Sequence, residues 1–206
     1  MPSRRRSASN PVETEAKIRV ASFGPIRRKI SALGGRLKIR RTLERNTLLD
    51  AAGGPLRAAG KSFRVRSYGD TGAITLKGVA RVEGGLKSRQ ELETEVASPE
   101  MLARILNELG FRPQFQYEKF REVWELDQSV ICLDETPIGR FAEIEGAARE
   151  IHRVASLLGL SPECFLSDSY PALWFAAGRT GDMVFGSKRG PRRAQRAGES
   201  VRRSRA

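Results

Sequence analysis

The sequence predicts an α+β domain built on an antiparallel sheet that closes into a barrel with a charged interior. Three observations lead there. Residues 62–68 and 73–79 are β-rich runs joined by Gly69, Asp70, Thr71 and Gly72, a connection that makes a hairpin. Only three or four helical stretches are interspersed among the strands. Most telling, the extended runs carry charge along one whole face and apolar residues along the other. Residues 12–20, VETEAKIRV, place Glu13, Glu15 and Lys17 opposite Val12, Thr14, Ala16 and Ile18, because alternate side chains of a strand share a face. A half-buried strand would turn such charges to water, but later strands repeat the pattern with complementary charges. A barrel with an ion-lined interior and helices on its outer surface accommodates that.

The elements follow in order. After the first strand, Ser22 is placed to cap a helix whose stripe is Ile26, Ile30 and Leu33, stopped by Gly34 and Gly35. Residues 36–50 read as extended, 51–55 break the pattern, and 56–60 form a short helical turn. In the hairpin, Arg64 and Arg66 lie opposite Phe63 and Val65, and Thr75 and Lys77 opposite Ile74 and Leu76. The segment 78–85 is a loop or strand extension. It leads to 88–96, where Arg89, Glu91, Glu93 and Glu95 alternate with Gln90, Leu92, Thr94 and Val96. Ser98 and Pro99 start a helix with Leu102, Ile105, Leu106 and Leu109 as its buried side. Residues 111–126 are extended, with Lys119 and Arg121 on one face and Phe120, Glu122 and Trp124 on the other. A buried strand over 129–135 carries Asp134, and Pro137 and Gly139 turn the chain into RFAEIEG, which aligns Phe141, Glu143 and Glu145. Residues 147–158 form the third clear helix and 169–178 a short fourth.

The net charge of +13 is unevenly spread. Residues 1–11 hold Arg4, Arg5 and Arg6 without an acid, and 179–206 hold nine Lys or Arg against Asp182 and Glu199. These ends read as disordered basic arms that bind polyanions weakly and without sequence preference, leaving 12–178 as the domain. Cys132 and Cys164 belong to no CxxC pair, which argues against a disulfide framework or zinc site and for a reduced, cytoplasmic setting. No apolar run reaches the roughly 18 residues of a membrane span.

Collected by face, the acids are Glu13, Glu15, Asp134, Glu143 and Glu145, and the cations Lys17, Arg64, Arg66, Lys77, Arg89, Lys119 and Arg121. Enclosing so many charges is costly unless they pair or bind ions. Clustered carboxylates suit hard divalent cations, and Arg and Lys suit phosphate oxygens. A pocket with both describes a metal–triphosphate site. Glu13-Thr14-Glu15-Ala16-Lys17 resembles the ExExK signature of the CYTH superfamily, the triphosphate tunnel metalloenzymes. The likeness continues through FRVR (Arg64, Arg66), TLK (Lys77), RQELE (Arg89, Glu91), KFR (Lys119, Arg121), Asp134 and FAEIEG (Glu143, Glu145). Tyr170, in SDSYP, resembles the family's C-terminal Ser-Tyr element near the tunnel mouth.

The resemblance implies an eight-stranded antiparallel tunnel with helices outside and triphosphate bound lengthwise. It implies metal on Glu13, Glu15, Asp134, Glu143 and Glu145, and phosphate on Lys17, Arg64, Arg66, Lys77, Lys119 and Arg121, with Arg89 as a further phosphate candidate. Glu13, Glu15 and Lys77 are the catalytic candidates, and the metal is Mg²⁺ or Mn²⁺. The expected activity is hydrolysis of an inorganic or organic triphosphate such as tripolyphosphate, ATP or thiamine triphosphate. Class IV adenylate cyclase is the alternative, and a non-catalytic polyphosphate or nucleic-acid module the second. Glu91 reads as a partner of Arg89 or of a tunnel cation, with a metal role as the lesser alternative, Glu93 has no clear place, His152 reads as a surface residue, and Phe115, Phe120 and Trp124 read as packing. GSKRGPRR lacks the spacing and preceding strand of a phosphate-binding loop.

Overall fold

A computed structural model describes residues 12–69 and 71–186. In chain order the elements are β1 (Val12–Val20), α1 (Gly24–Ala32), β2 (Arg36–Asp50), α2 (Pro55–Ala58), β3 (Ser62–Tyr68), β4 (Thr71–Lys77), β5 (Arg81–Glu83) and β6 (Leu86–Val96). They continue as α3 (Pro99–Glu108), β7 (Arg112–Leu126), β8 (Ser129–Thr136), β9 (Gly139–Glu145), α4 (Ala148–Leu158), β10 (Phe165–Leu166) and α5 (Tyr170–Ala176). Eight strands pair antiparallel in the order β1-β9-β8-β7-β2-β3-β4-β6, and β6 returns to β1 to close the barrel. Closure rests on Glu13 opposite Arg89 and Glu15 opposite Lys87. The short β5 and β10 add to β6 and β1.

The main core lies outside the barrel. Ala16, Ile18, Ile131, Leu133, Ala142 and Ile144, the outward residues of β1, β8 and β9, pack under Ile26 and Ile30 of α1 and Ile151, Val154, Ala155 and Leu158 of α4. Apolar residues therefore face outward beneath helices, which leaves the charged face of each strand turned inward. Burial of this outer layer, at roughly 25 cal/mol per Å² of apolar surface, drives the fold and carries the cost of the polar interior. A second cluster of Phe115, Tyr117, Phe141, Tyr170, Trp174 and Met183 seats α5 against the barrel. A third, Leu49, Val65 and Leu106, lies under α3.

Several local expectations change. The N-cap of α1 is Phe23, without a side-chain bond, rather than Ser22; the burial of Ile26 and Ile30 holds this helix in place. In α3, Ser98 does accept from the Met101 N–H, but only Leu106 of the expected stripe is fully buried, and Ile105 and Leu109 are 49% and 69% exposed. α3 rests on the outer face of the barrel near Val65 and Ile74, and among the described residues no second layer covers it, so the face it buries is narrow. The loop before β6 contains β5, paired with the start of β6. Asp50 accepts from the backbone N–H of Ala51, Leu56 and Arg57, tying the short α2 to the end of β2. Gly72 lets β3, β4 and α3 meet: a Cβ there would lie 2.0 Å from the Arg66 carbonyl oxygen and 2.6 Å from Pro99.

The chain stays on the domain past residue 178. Met183, fully buried, exchanges backbone hydrogen bonds with Gln116 and Glu118, and Asp182 accepts from the Gln116 N–H. The pairing of β7 with β8 covers only Phe120–Leu126, so the first half of β7 has an open edge that residues 182–183 fill. The expected arm at 1–11, residue Asp70 and the segment 187–206 lie outside the described residues. Among the described residues no helix is long and apolar enough to cross a membrane.

Candidate active site

A cavity of about 870 Å³ runs through the barrel, and every strand of the closed ring contributes side chains to it. On one wall Glu15 and Glu145 are cross-strand partners on β1 and β9, and Glu13 is the next inward residue of β1. One carboxylate oxygen from each of the three lies within 4.8 Å of the others. An all-oxygen donor set of three carboxylates fits a hard divalent cation such as Mg²⁺ or Mn²⁺. Their mutual repulsion is visible in Glu145, whose carboxyl is pushed up to about 8 by burial and by the charge of Glu13. Among the described residues, these three carboxylates are the group placed to hold a metal together.

The other two expected metal carboxylates are committed elsewhere. Asp134, 0% exposed, accepts from Lys119 Nζ at 2.9 Å, Arg121 Nε at 2.7 Å, Arg121 Nη2 at 2.6 Å and the Tyr170 hydroxyl at 2.8 Å. Glu143 pairs with Lys17 at 2.9 Å and with Arg121. Its carboxyl is driven well below the usual range, because the cations Lys17 and Arg121 outweigh the opposing effect of burial. Asp134 therefore holds two phosphate candidates in place, with α5 anchored through Tyr170. Pro171 sits in the first turn of α5, where its missing N–H costs nothing.

The phosphate candidates all reach the cavity, and most are paired with acids. Lys77 Nζ lies 2.8 Å from Glu13 and 2.6 Å from Glu91. Arg66 donates from Nη2 to both carboxylate oxygens of Glu93 at 2.9 and 2.8 Å, while Arg64 donates to the Tyr117 hydroxyl at 3.1 Å and to Thr75 at 3.4 Å. Arg89, opposite Glu13 on β6, lines the same space. Burial and a hydrogen bond with Glu13 push Glu91 up to about 7. Glu13 itself is brought down to about 2, since Glu91, Lys77 and Arg89 overcome its burial.

Two charged residues escaped the sequence reading. Glu44, on β2, is buried 3.6 Å from Lys119 and 3.7 Å from Arg66, and these neighbours bring its carboxyl down to about 2 against the pull of burial. Lys87, on β6, lies 4.0 Å from Glu15; burial and Arg89 lower its ammonium to about 8. Both could be found by extending the period-two alternation: Glu44 shares a face with Thr42 and Leu48, and Lys87 with Arg89. His152 stacks on Phe165 outside the cavity.

The CYTH domain model matches residues 12–160. A Methanocaldococcus jannaschii protein named as a candidate adenylate cyclase is 21% identical over 148 residues, covering 71% of this chain and 83% of its own. Among solved structures, a candidate adenylate cyclase of Vibrio parahaemolyticus aligns with a TM-score of 0.69 at 20% identity, over 79% of this chain and 97% of its own. A protein of Pyrococcus horikoshii aligns at 0.63 and 27% identity, over 77% and 96%. One from Hippeastrum, described as a candidate adenylyl cyclase with a dominant triphosphatase activity, aligns at 0.57 and 18% identity, over 82% and 97%. With the family model covering most of the chain and the closed charged barrel in place, the chain belongs to the CYTH family.

Proposed function

We propose that this chain is a divalent-metal-dependent enzyme that hydrolyses an inorganic or organic triphosphate inside the barrel. The observation that carries the reading is the convergence of Glu13, Glu15 and Glu145 within 4.8 Å in the same cavity as Lys77, Arg64, Arg66, Lys119 and Arg121. A pure anion binder has no use for the acidic group. Glu13, Glu15 and Glu145 are assigned to the metal, which when bound supplies charge neutralisation on the phosphates and activation of water.

The chain's own residues do the rest. Arg64, Arg66, Lys77, Arg89, Lys119 and Arg121, with Lys17, bind the phosphate oxygens and neutralise charge as the bridging P–O bond breaks. Asp134 and Glu143 fix the orientation of Lys119, Arg121 and Lys17 rather than binding metal. Tyr170 and Pro171 at the start of α5 line the same cavity, beside these cations. Hydrolysis leads because no purine-reading set accompanies the charged residues, and the Hippeastrum neighbour is described by its triphosphatase activity. The name of the Methanocaldococcus relative favours the alternative, cyclisation of ATP to cyclic AMP and pyrophosphate.

Purified protein is incubated with Mg²⁺ or Mn²⁺ and either tripolyphosphate, ATP or thiamine triphosphate, and products are resolved by anion exchange. Orthophosphate without cyclic AMP is expected. Cyclic AMP from ATP makes the chain a cyclase, and no product with any of the three removes the catalytic reading.

A further inference from the structure

Asn46 is 1% exposed, yet neither its Oδ1 nor its Nδ2 has a hydrogen-bond partner among the described residues. Its neighbours of the same face on β2, Glu44 and Leu48, both line the cavity, so the strand alternation turns the amide inward. Across the sheet its partners are Arg66 on β3 and Tyr117 on β7. Among the same residues the Nε–H groups of Arg64 and Arg66 find no partner either. An unmet amide, two unmet guanidinium donors and a tyrosine thus adjoin on one wall.

A buried amide with nothing to bond destabilises a fold, and an apolar residue of similar volume would be better tolerated. The mismatch has a solution in a second arrangement of the same groups. Without ligand, the two Nη groups of Arg64 are held by Tyr117 and Thr75, and Nη2 of Arg66 is held by Glu93. When a guanidinium turns both Nη groups onto a phosphate, its Nε–H points aside and needs an acceptor other than the phosphate. The Tyr117 oxygen loses its donor at the same moment.

We infer that Asn46 is a positioning residue for the triphosphate-bound state: its Oδ1 accepts from the Nε–H of Arg66 or Arg64, and its Nδ2 donates to the Tyr117 oxygen. An amide suits this task because it is neutral. A carboxylate at position 46 would compete with phosphate for the same cations. The inference rests on the triphosphate reading above and deepens it.

The test compares wild type, N46L and N46T by thermal unfolding without ligand and by calorimetric titration of tripolyphosphate in Mg²⁺. N46L is expected to unfold at the same or a higher temperature and to lose roughly tenfold or more in affinity. N46T, whose hydroxyl restores an acceptor, recovers part of it. Wild-type affinity in N46L overturns the inference. So does a lowered unfolding temperature or failure to fold, which means the amide is already bonded in the free protein, or equal losses in N46L and N46T. If wild type binds neither tripolyphosphate nor ATP, the triphosphate reading itself fails and takes this inference with it.

Discussion

Lys77 Nζ sits 2.8 Å from Glu13 Oε2, so a candidate phosphate cation and a candidate metal carboxylate neutralise each other across the barrel. The same exchange of partners is written along the cavity, with Glu143 on Lys17 and Arg121 and Glu93 on Arg66. Metal and triphosphate each release what the other needs: a cation on the acids frees Lys77, and a phosphate on Lys77 frees Glu13. Binding is therefore expected to be cooperative, with a coupling of about 1–3 kcal/mol. Titrating Mn²⁺ with and without tripolyphosphate in an inactive variant measures it. Equal Mn²⁺ affinities in both titrations would show that the pairs present no barrier.

Asp134 and Glu145 should separate cleanly under mutation. Asp134 is buried with four donors aimed at it, so D134N leaves Lys119 and Arg121 short of a counter-charge and is expected to cost about 3–5 kcal/mol of stability. E145Q relieves a crowded acid and should leave stability unchanged or raised while weakening Mn²⁺ binding at least tenfold. Urea unfolding and Mn²⁺ electron paramagnetic resonance give the two readouts. Weak Mn²⁺ binding in a well-folded D134N protein would return Asp134 to the metal.

The metal-free protein should lose stability as pH rises. Glu145 titrates near 8 in the fold and Glu91 near 7, against an ordinary value of 4.5 for each. The folded state thus holds more protons than the unfolded chain above pH 4.5. Their contribution is complete below about pH 4.5 and disappears through pH 7 to 8, on the order of 1–2 kcal/mol after allowing for solvent screening of the half-buried Glu145. In the other direction, Glu13 and Glu44, held near 2, lose theirs as pH falls from 4.5 toward 2. Thermal unfolding in EDTA should therefore peak at mildly acid pH, and E145Q should flatten the alkaline slope. An unfolding temperature that climbs from pH 5 to 8 in EDTA contradicts the assignment.

The barrel was legible because its side-chain pattern is inverted along whole strands: Glu13, Glu15 and Lys17 inward, Ala16 and Ile18 outward under α1 and α4. Alternation assigns residues to a face, which is why the charged residues were found in the cavity. It does not say which member of a face meets which across the barrel. Asp134 and Glu145 carry the same chemistry in sequence, but register places one under Tyr170 and the other beside Glu15. Glu44 and Asn46 escaped for a different reason: β2 begins with exposed, mixed residues and carries bulges near Ile39, so the alternation that turns Thr42, Glu44, Asn46 and Leu48 inward becomes regular only from Thr42 onward. The fate of Ile105 and Leu109 depended on how narrow a surface α3 covers, which helical spacing cannot express.

The segment after α5 offers a test of where the domain ends. Composition sets the boundary at 178, because basic residues dominate from there on. Met183 is nonetheless fully buried among Phe115, Tyr117 and Trp174, and the Glu118 N–H and the Gln116 carbonyl both bond to its backbone. Removing 179–206 should cost about 2–5 kcal/mol, the range for losing a buried methionine side chain, and should reopen the edge of β7. Removing 187–206 should leave the unfolding temperature unchanged and reduce only weak, salt-sensitive polyanion binding. Chemical denaturation and heparin retention of the two truncated chains distinguish these effects. If both truncations unfold alike, the packing of Met183 contributes nothing to the domain, and turnover lost on removing 187–206 alone would tie that segment to the charged cavity.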